Sequence, residues 1–294
     1  MSSPRPPSRL EAGLASGRFV VTSELNPPKG IDLEPLLASA ALLAGVVEAI
    51  NITDSHTARM SMAPIAAAHL LLDHDVEPIV QMTTRDRNRI ALQGDMLAAA
   101  ALGVRNLVLM GGDSPATGDH PEAMPVFDIG TEALIALAHG LAEGRDGAGN
   151  ALRGTPALHI GAVVNPGASD LGKEIARMEE KVRAGARFFQ TQAVYDPAAF
   201  ERFARRAEPL GMPVLAGIIP LKSVRMAEHL NANVPGIAIP PGLIERIGRA
   251  GDVEQASCQI AAATIRALRP MCQGCHIMAI GWERLVRRIV DAAG

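Results

Sequence analysis

Short apolar, β-branched runs alternate with longer stretches of helical spacing along most of the chain. Runs at 19–25 (FVVTSEL), 47–54 (VEAINITD), 77–83 (EPIVQMT), 106–110 (NLVLM), 157–163 (ALHIGAV), 187–192 (RFFQTQ) and 213–218 (PVLAGI) read as strands. Each is too short for a helix and ends in polar or turn-forming residues. Helices are expected over about 33–44, 61–73, 88–102, 131–142, 172–184, 197–207 and 222–230. Seven successive strand–helix units with continuously apolar strands imply a parallel sheet covered by helices.

The eighth strand has two candidates. Residues 236–239 (GIAI) fit the spacing, but Pro240 and Pro241 follow at once. Residues 275–280 (CHIMAI) come after a long helical stretch, 252–268, and precede another at 282–292. The second choice closes a single (β/α)8 (TIM) barrel over 19–294 and makes Pro240-Pro241 part of an elongated last βα loop. The 294 residues suit one such barrel. A doubly wound open sheet is the alternative, and no G-x-G-x-x-G follows the first strand to support it. The Pro- and Ser-rich segment 1–18 is expected to be flexible, and 144–150 (GRDGAGN) to be a surface loop.

Composition narrows the function classes. A formal charge of -3 and 3% aromatic residues give no basis for a nucleic-acid surface. No run of about 18 apolar residues and no signal-peptide core occurs. Cys258, Cys272 and Cys275 are too few for a disulfide framework. A reduced, soluble, cytoplasmic protein with no membrane partner is expected. Cys272-Gln273-Gly274-Cys275-His276 matches the C-x-x-C-H haem-attachment pattern, but without export the cysteines read as core residues, and no metal is expected.

In such a barrel the reaction site lies at the C-terminal strand ends. The polar residues there are Glu24, Thr53, Asp54, Gln81, Thr83, Asp113, Asn165, Thr191 and Gln192, with Lys222 beyond. Together they suit a heterocycle rich in donors and acceptors. Taken singly, each equally suits a loop cap. Glu24, between Val21-Thr22 and Leu25-Asn26-Pro27, is expected to have a raised pKa fit for a general acid, unless an Arg or Lys pairs with it. Gly111-Gly112-Asp113 would let the backbone approach a ligand. Arg85, Arg87 and Arg89 at a strand-to-helix junction suit phosphates or a carboxylate tail, or else an ion-paired turn. Lys181, after Glu179-Glu180, reads as a solvated helix residue.

Six stretches in order resemble the methylenetetrahydrofolate reductase family: SELNPP (23–28), NITD (51–54), LGVRNLVLMGGDSP (102–115), EKVRAGARFFQTQAVYD (180–196), LAGIIP (215–220) and GCHIMAIG (274–281). The resemblance implies a barrel holding a flavin, FAD or alternatively FMN, with NADH, NADPH or a partner protein as electron donor. It implies a folate substrate and a homo-oligomer. Glu24 matches the family's catalytic acid, and Asp113 the acidic residue beside flavin and pterin. Gln192 matches the glutamine that binds the pterin. Thr53, Gln81, Gly112, Asp113, Asn165 and Lys181 fall at flavin-contacting positions, Lys181 near the phosphates. Gln81 stands where many members have His, Asn165 and Val224 where aromatics are common, and Trp282 where Arg is frequent. These departures resemble a branch in which a partner subunit supplies electrons or methyl-tetrahydrofolate is oxidised. A flavin-free pterin-binding methyltransferase, or a folate- or flavin-binding subunit of an electron-transfer complex, are the competing readings.

Overall fold

The computed structural model describes residues 6–294. Eight strands form a closed, all-parallel barrel in sequence order: β1 (Val20–Leu25), β2 (Ala49–Ile52), β3 (Pro78–Thr83), β4 (Asn106–Met110), β5 (His159–Val164), β6 (Phe188–Ala193), β7 (Val214–Ile218) and β8 (Gly274–Ile277). Closure comes from β8 pairing with both β7 and β1, with Thr22 opposite His276. Gly274–Ile277 is therefore the eighth strand, as the proline argument requires, because a proline donates no ladder hydrogen bond. Pro241 does not lie in a loop, however. It opens a helix at its first position, where a missing N–H is harmless.

Helices α2 (Glu34–Leu43), α3 (Pro64–Leu72), α4 (Arg89–Ala101), α5 (Thr131–Ala142), α6 (Leu171–Ala184) and α7 (Pro197–Ala207) follow the first six strands in turn. Three helices, α8 (Val224–Asn233), α9 (Pro241–Gly248) and α10 (Val253–Leu268), fill the long β7-to-β8 connection, and α11 (Glu283–Ala293) follows β8. Several helices, four of them after strands and α10 after α9, begin on a capping side chain. Asn88, Asp170, Asp196, Ser223 and Asp252 each accept from a backbone N–H of the first turn.

The chain before the barrel differs from the flexible segment expected there. Residues 1–5 lie outside the described residues, but Arg9–Ala15 form helix α1, and Leu10 is fully buried. Leu10 and Leu14 pack under Val20, Ala49, Ile79, Val108, Phe188 and Leu215, the lowest layer inside the barrel. A barrel needs its open end sealed from water, and this short amphipathic helix does so. Gly161 leaves the room that the Phe188 ring fills, since a Cβ there would lie 2.3 Å from the ring. The outer layer packs strands against helices through Leu43, Ile52, Leu71, Met96, Leu109, Phe189, Phe203 and Ile289.

Candidate active site at the barrel mouth

Side chains alternate along a strand, so β1 sends Val20, Thr22 and Glu24 to one face. The hydrogen bonds identify that face as the barrel interior. Thr22 Oγ1 lies 2.9 Å from His276 Nδ1 across the β1–β8 seam. Gln190 Nε2 lies 3.5 Å from the same hydroxyl, and Gln190 exchanges bonds of 2.6 and 3.0 Å with Asn51. These four residues form a buried polar layer above the apolar floor. Buried polar groups persist when they satisfy one another, which this ring does.

Glu24 stands next above it. Its Oε2 is 3.5 Å from His276 Nε2, with the Glu24 side chain 14% exposed and that of His276 4%. The partner of Glu24 is thus an imidazole, where an Arg or Lys was the alternative from sequence. The expected rise in the Glu24 pKa is not found. Burial pushes the carboxyl up, but the hydrogen bond and charge of His276, with a smaller pull from His56, carry it below the ordinary value.

The remaining sequence-selected residues divide into two groups. Gln81 on β3 and Asp113 in the loop after β4 have side chains without a hydrogen-bond partner among the described residues, and Gln192 uses only Oε1, on the N–H of Ala193. Other side chains are engaged. Thr53 Oγ1 donates to Asn26 Oδ1 at 2.7 Å. Asn165 Nδ2 donates to Pro235 O at 3.1 Å, and its Oδ1 accepts from Gly167 N at 3.1 Å. Lys181 is buried rather than solvated, and its Nζ donates to Val163 O at 2.8 Å. Burial lowers its pKa, against the pull of Glu174 and Glu132. Gly112 takes a left-handed φ of 87°, and a Cβ there would lie 2.9 Å from Thr83 Cβ, so only glycine fits.

The arginine cluster resolves as an ion-paired turn. Arg85 binds Asp86 at 2.7 Å, Arg87 binds Asp54 and, at 3.0 Å, Asp95, and Arg89 binds Asp128 at 2.8 Å. Asp54 also accepts from the Thr83 N–H and hydroxyl, so it fastens β2 to the end of β3. Asp119 fastens the loops after β1, β2 and β4 through Lys29 at 2.5 Å and the Met60 N–H at 3.0 Å. Lys222 donates to Ile280 O and lies 5.3 Å from the centre of the Trp282 ring. The three cysteines are buried free thiols, and burial pushes Cys272 up to about 11.

His276, Thr22, Asn51 and Gln190 were not selected from sequence. The signal was available, because the period of two that points Glu24 inward also points Thr22 inward, and Asn51 lies opposite Glu24. His276 was read only as the end of C-x-x-C-H. The open amides of Gln81 and Gln192 and the carboxylate of Asp113 fit the edge of a planar heterocycle with both N–H and C=O groups, as flavins and pterins have.

Among the described residues no helix is long and apolar enough to cross a membrane. Among solved structures the chain is similar to EDTA monooxygenase from Chelativorans sp. BNC1, with a TM-score of 0.57 and 14% identity over 94% of this chain and 93% of the other. It is also similar to 2,3-dimethylmalate lyase, with a TM-score of 0.55 and 12% identity over 93% and 80%. At such identities these likenesses speak only for the barrel. Methylenetetrahydrofolate reductase 2 of Schizosaccharomyces pombe is 23% identical over 240 residues, 75% of this chain and 36% of that protein. Methylenetetrahydrofolate reductase (NADH) 1 of Zea mays is 28% identical over 142 residues, 45% of this chain and 24% of that protein. The chain therefore spans about a third or less of the length of these relatives. The family model described as methylenetetrahydrofolate reductase matches residues 9–294, from helix α1 to the last residue, and the chain belongs to that family.

Proposed function

We propose that this chain interconverts 5,10-methylenetetrahydrofolate and 5-methyltetrahydrofolate, with a flavin, FAD or alternatively FMN, as hydride carrier. The observation that carries the reading is the set of open polar valences, those of Gln81, Asp113 and the amide nitrogen of Gln192, at the same barrel end as the Glu24–His276 pair. Opening the ring that bridges N5 and N10 of the folate needs a proton at N10. Glu24 would give it, leaving an iminium carbon on N5. Asp113 and Gln192 would orient the pterin. Gln81, the Gly112 backbone and Asp113 would hold the flavin ring, while Thr53, Asn165 and Lys181 would exchange their internal bonds for bonds to its tail. Bound there, the flavin supplies hydride to that carbon or accepts it from the methyl group.

The electron source is NADH, NADPH or a partner protein. One observation favours the partner: Ile31, Met60, Met124, Phe127 and Ile280 are exposed on loops at the C-terminal strand ends. Addition of methyl-tetrahydrofolate to the anaerobic protein, followed by visible spectroscopy, tests the proposal. A flavin spectrum that bleaches supports it. A protein that takes up neither FAD nor FMN and leaves the folate unchanged overturns it.

A further inference from the structure

The loop between β2 and α3 concentrates backbone strain. Ser55, Thr57 and Ala58 have φ of 49, 52 and 55°, three left-handed residues in four positions with no glycine among them. Each costs free energy that a glycine would not, because its Cβ crowds the following carbonyl. Such strain persists only where the surroundings dictate it. Here both ends of the loop are clamped. On one side Asp54 accepts from the Thr83 N–H at 2.8 Å and pairs with Arg87. On the other, the Met60 N–H donates to Asp119 at 3.0 Å. Gly118 presses on the Ala58 carbonyl so closely that a Cβ there would collide with it.

What this turn presents is His56. Its imidazole is exposed and has no hydrogen-bond partner among the described residues. The loop leaves β2 just beyond Asn51, the register partner of Glu24, and the pull of His56 reaches the Glu24 carboxyl. His276 approaches Glu24 from β8, on the opposite flank of β1. Glu24 is thus flanked by one imidazole engaged inside the barrel and one left free for a ligand.

We propose that His56 is a substrate-contacting residue that packs its ring against the aminobenzoyl group of the folate, so that the site selects folates over simple pterins. This rests on the reductase reading. In that reading Glu24 delivers a proton to N10, and N10 carries the aminobenzoyl ring. A flat side chain beside Glu24 at the mouth meets that ring, while Asp113 and Gln192 take the pterin. The contact needs no charge on the imidazole, because aromatic planes attract through apolar burial and ring geometry. Strain is the means of placement. A relaxed loop would have to order His56 on binding, and that ordering would cost affinity.

The test measures equilibrium binding to the flavin-loaded protein, reduced with dithionite so that it takes up no hydride. Two ligands are compared, 5-methyltetrahydrofolate and 5,6-dimethyltetrahydropterin, which lacks the aminobenzoyl-glutamate part. His56→Ala should weaken the folate about tenfold, as loss of one aromatic contact would, and change the pterin by less than about twofold. His56→Phe should recover most of the folate affinity. Thr57→Gly, which relieves strain without touching the ring, should keep the melting temperature at or above that of the wild type while weakening the folate. Equal losses for both ligands in His56→Ala, or none for the folate, overturn the inference even if the wild type turns folate over. A wild type that binds neither ligand sinks the reductase reading, and the inference falls with it.

Discussion

The two ends of the barrel are built from the same residue types and treat them in opposite ways. At the floor, Ser8 Oγ donates to Asn106 Oδ1 at 2.8 Å, and Asn106 Nδ2 donates to Glu77 Oε1 at 3.0 Å. Glu77 also accepts from the N–H groups of Arg9 and Leu10 at 2.5 and 2.8 Å, capping α1 with a carboxylate from another element. His159 Nδ1 lies 3.2 Å from Asn106 Oδ1, and its ring stacks on Phe188 at 4.7 Å. Every polar side chain in that cluster meets another. At the mouth, an amide of the same kind, Gln81, and a carboxylate, Asp113, meet none among the described residues. Internal satisfaction marks the floor as structure, and the open valences at the mouth are those that the proposed binding of flavin and folate would use.

The largest effect expected of any single change separates the two ends. Glu24→Gln should reduce methylene-tetrahydrofolate turnover by about a hundredfold or more while leaving the melting temperature within experimental error. A matching fall in stability would mean that Glu24 belongs with the floor. Leu10→Ala should do the reverse, destabilising the protein by about 2–5 kcal/mol in urea unfolding with specific activity kept below the transition.

Acid should act on the floor through His159, which burial, with help from Arg187, lowers from 6.5 to about 4. The unfolded chain then binds the proton more readily than the folded one. Its stabilisation is complete above about pH 6.5 and is lost as the pH falls towards 4, by about 3 kcal/mol. His159→Phe should flatten that part of the pH–stability curve, and an unchanged slope would refute the assignment. Ser8→Ala removes the cap of α1 and should cost about 1 kcal/mol in the same unfolding assay. Smallest of all, Gln81→Ala should change stability by less than about 0.5 kcal/mol while raising the KM for folate or weakening flavin retention.

The strand positions were legible because a fully buried parallel strand is a continuous apolar run, and β3 or β7 cannot be mistaken for a surface segment. The eighth strand followed from proline chemistry. Helix α1 was hidden by its neighbours, since MSSPRPPS reads as a linker and only Leu10 and Leu14 carry a helical stripe. At the site, strand-end position alone picked out Glu24, Gln81, Asp113 and Gln192. Distances across the barrel were needed for the rest. No spacing in the sequence brings His276 to Glu24, 252 positions away, because closure of β8 on β1 makes that contact. Lys181 and Asn165 show the converse, as their internal bonds to Val163 and Pro235 depend on how loops fold over the strand ends.

The central claim is that Glu24 handles a proton for a folate at the open end of the barrel. It is tested most directly by following conversion of methylene-tetrahydrofolate to methyl-tetrahydrofolate anaerobically, with flavin supplied and reduced by dithionite, in the wild type and in Glu24→Gln. The account predicts an N5-methyl product from the wild type and at least about a hundredfold less from the variant, with folate binding retained in both. Equal rates from the two proteins would contradict it.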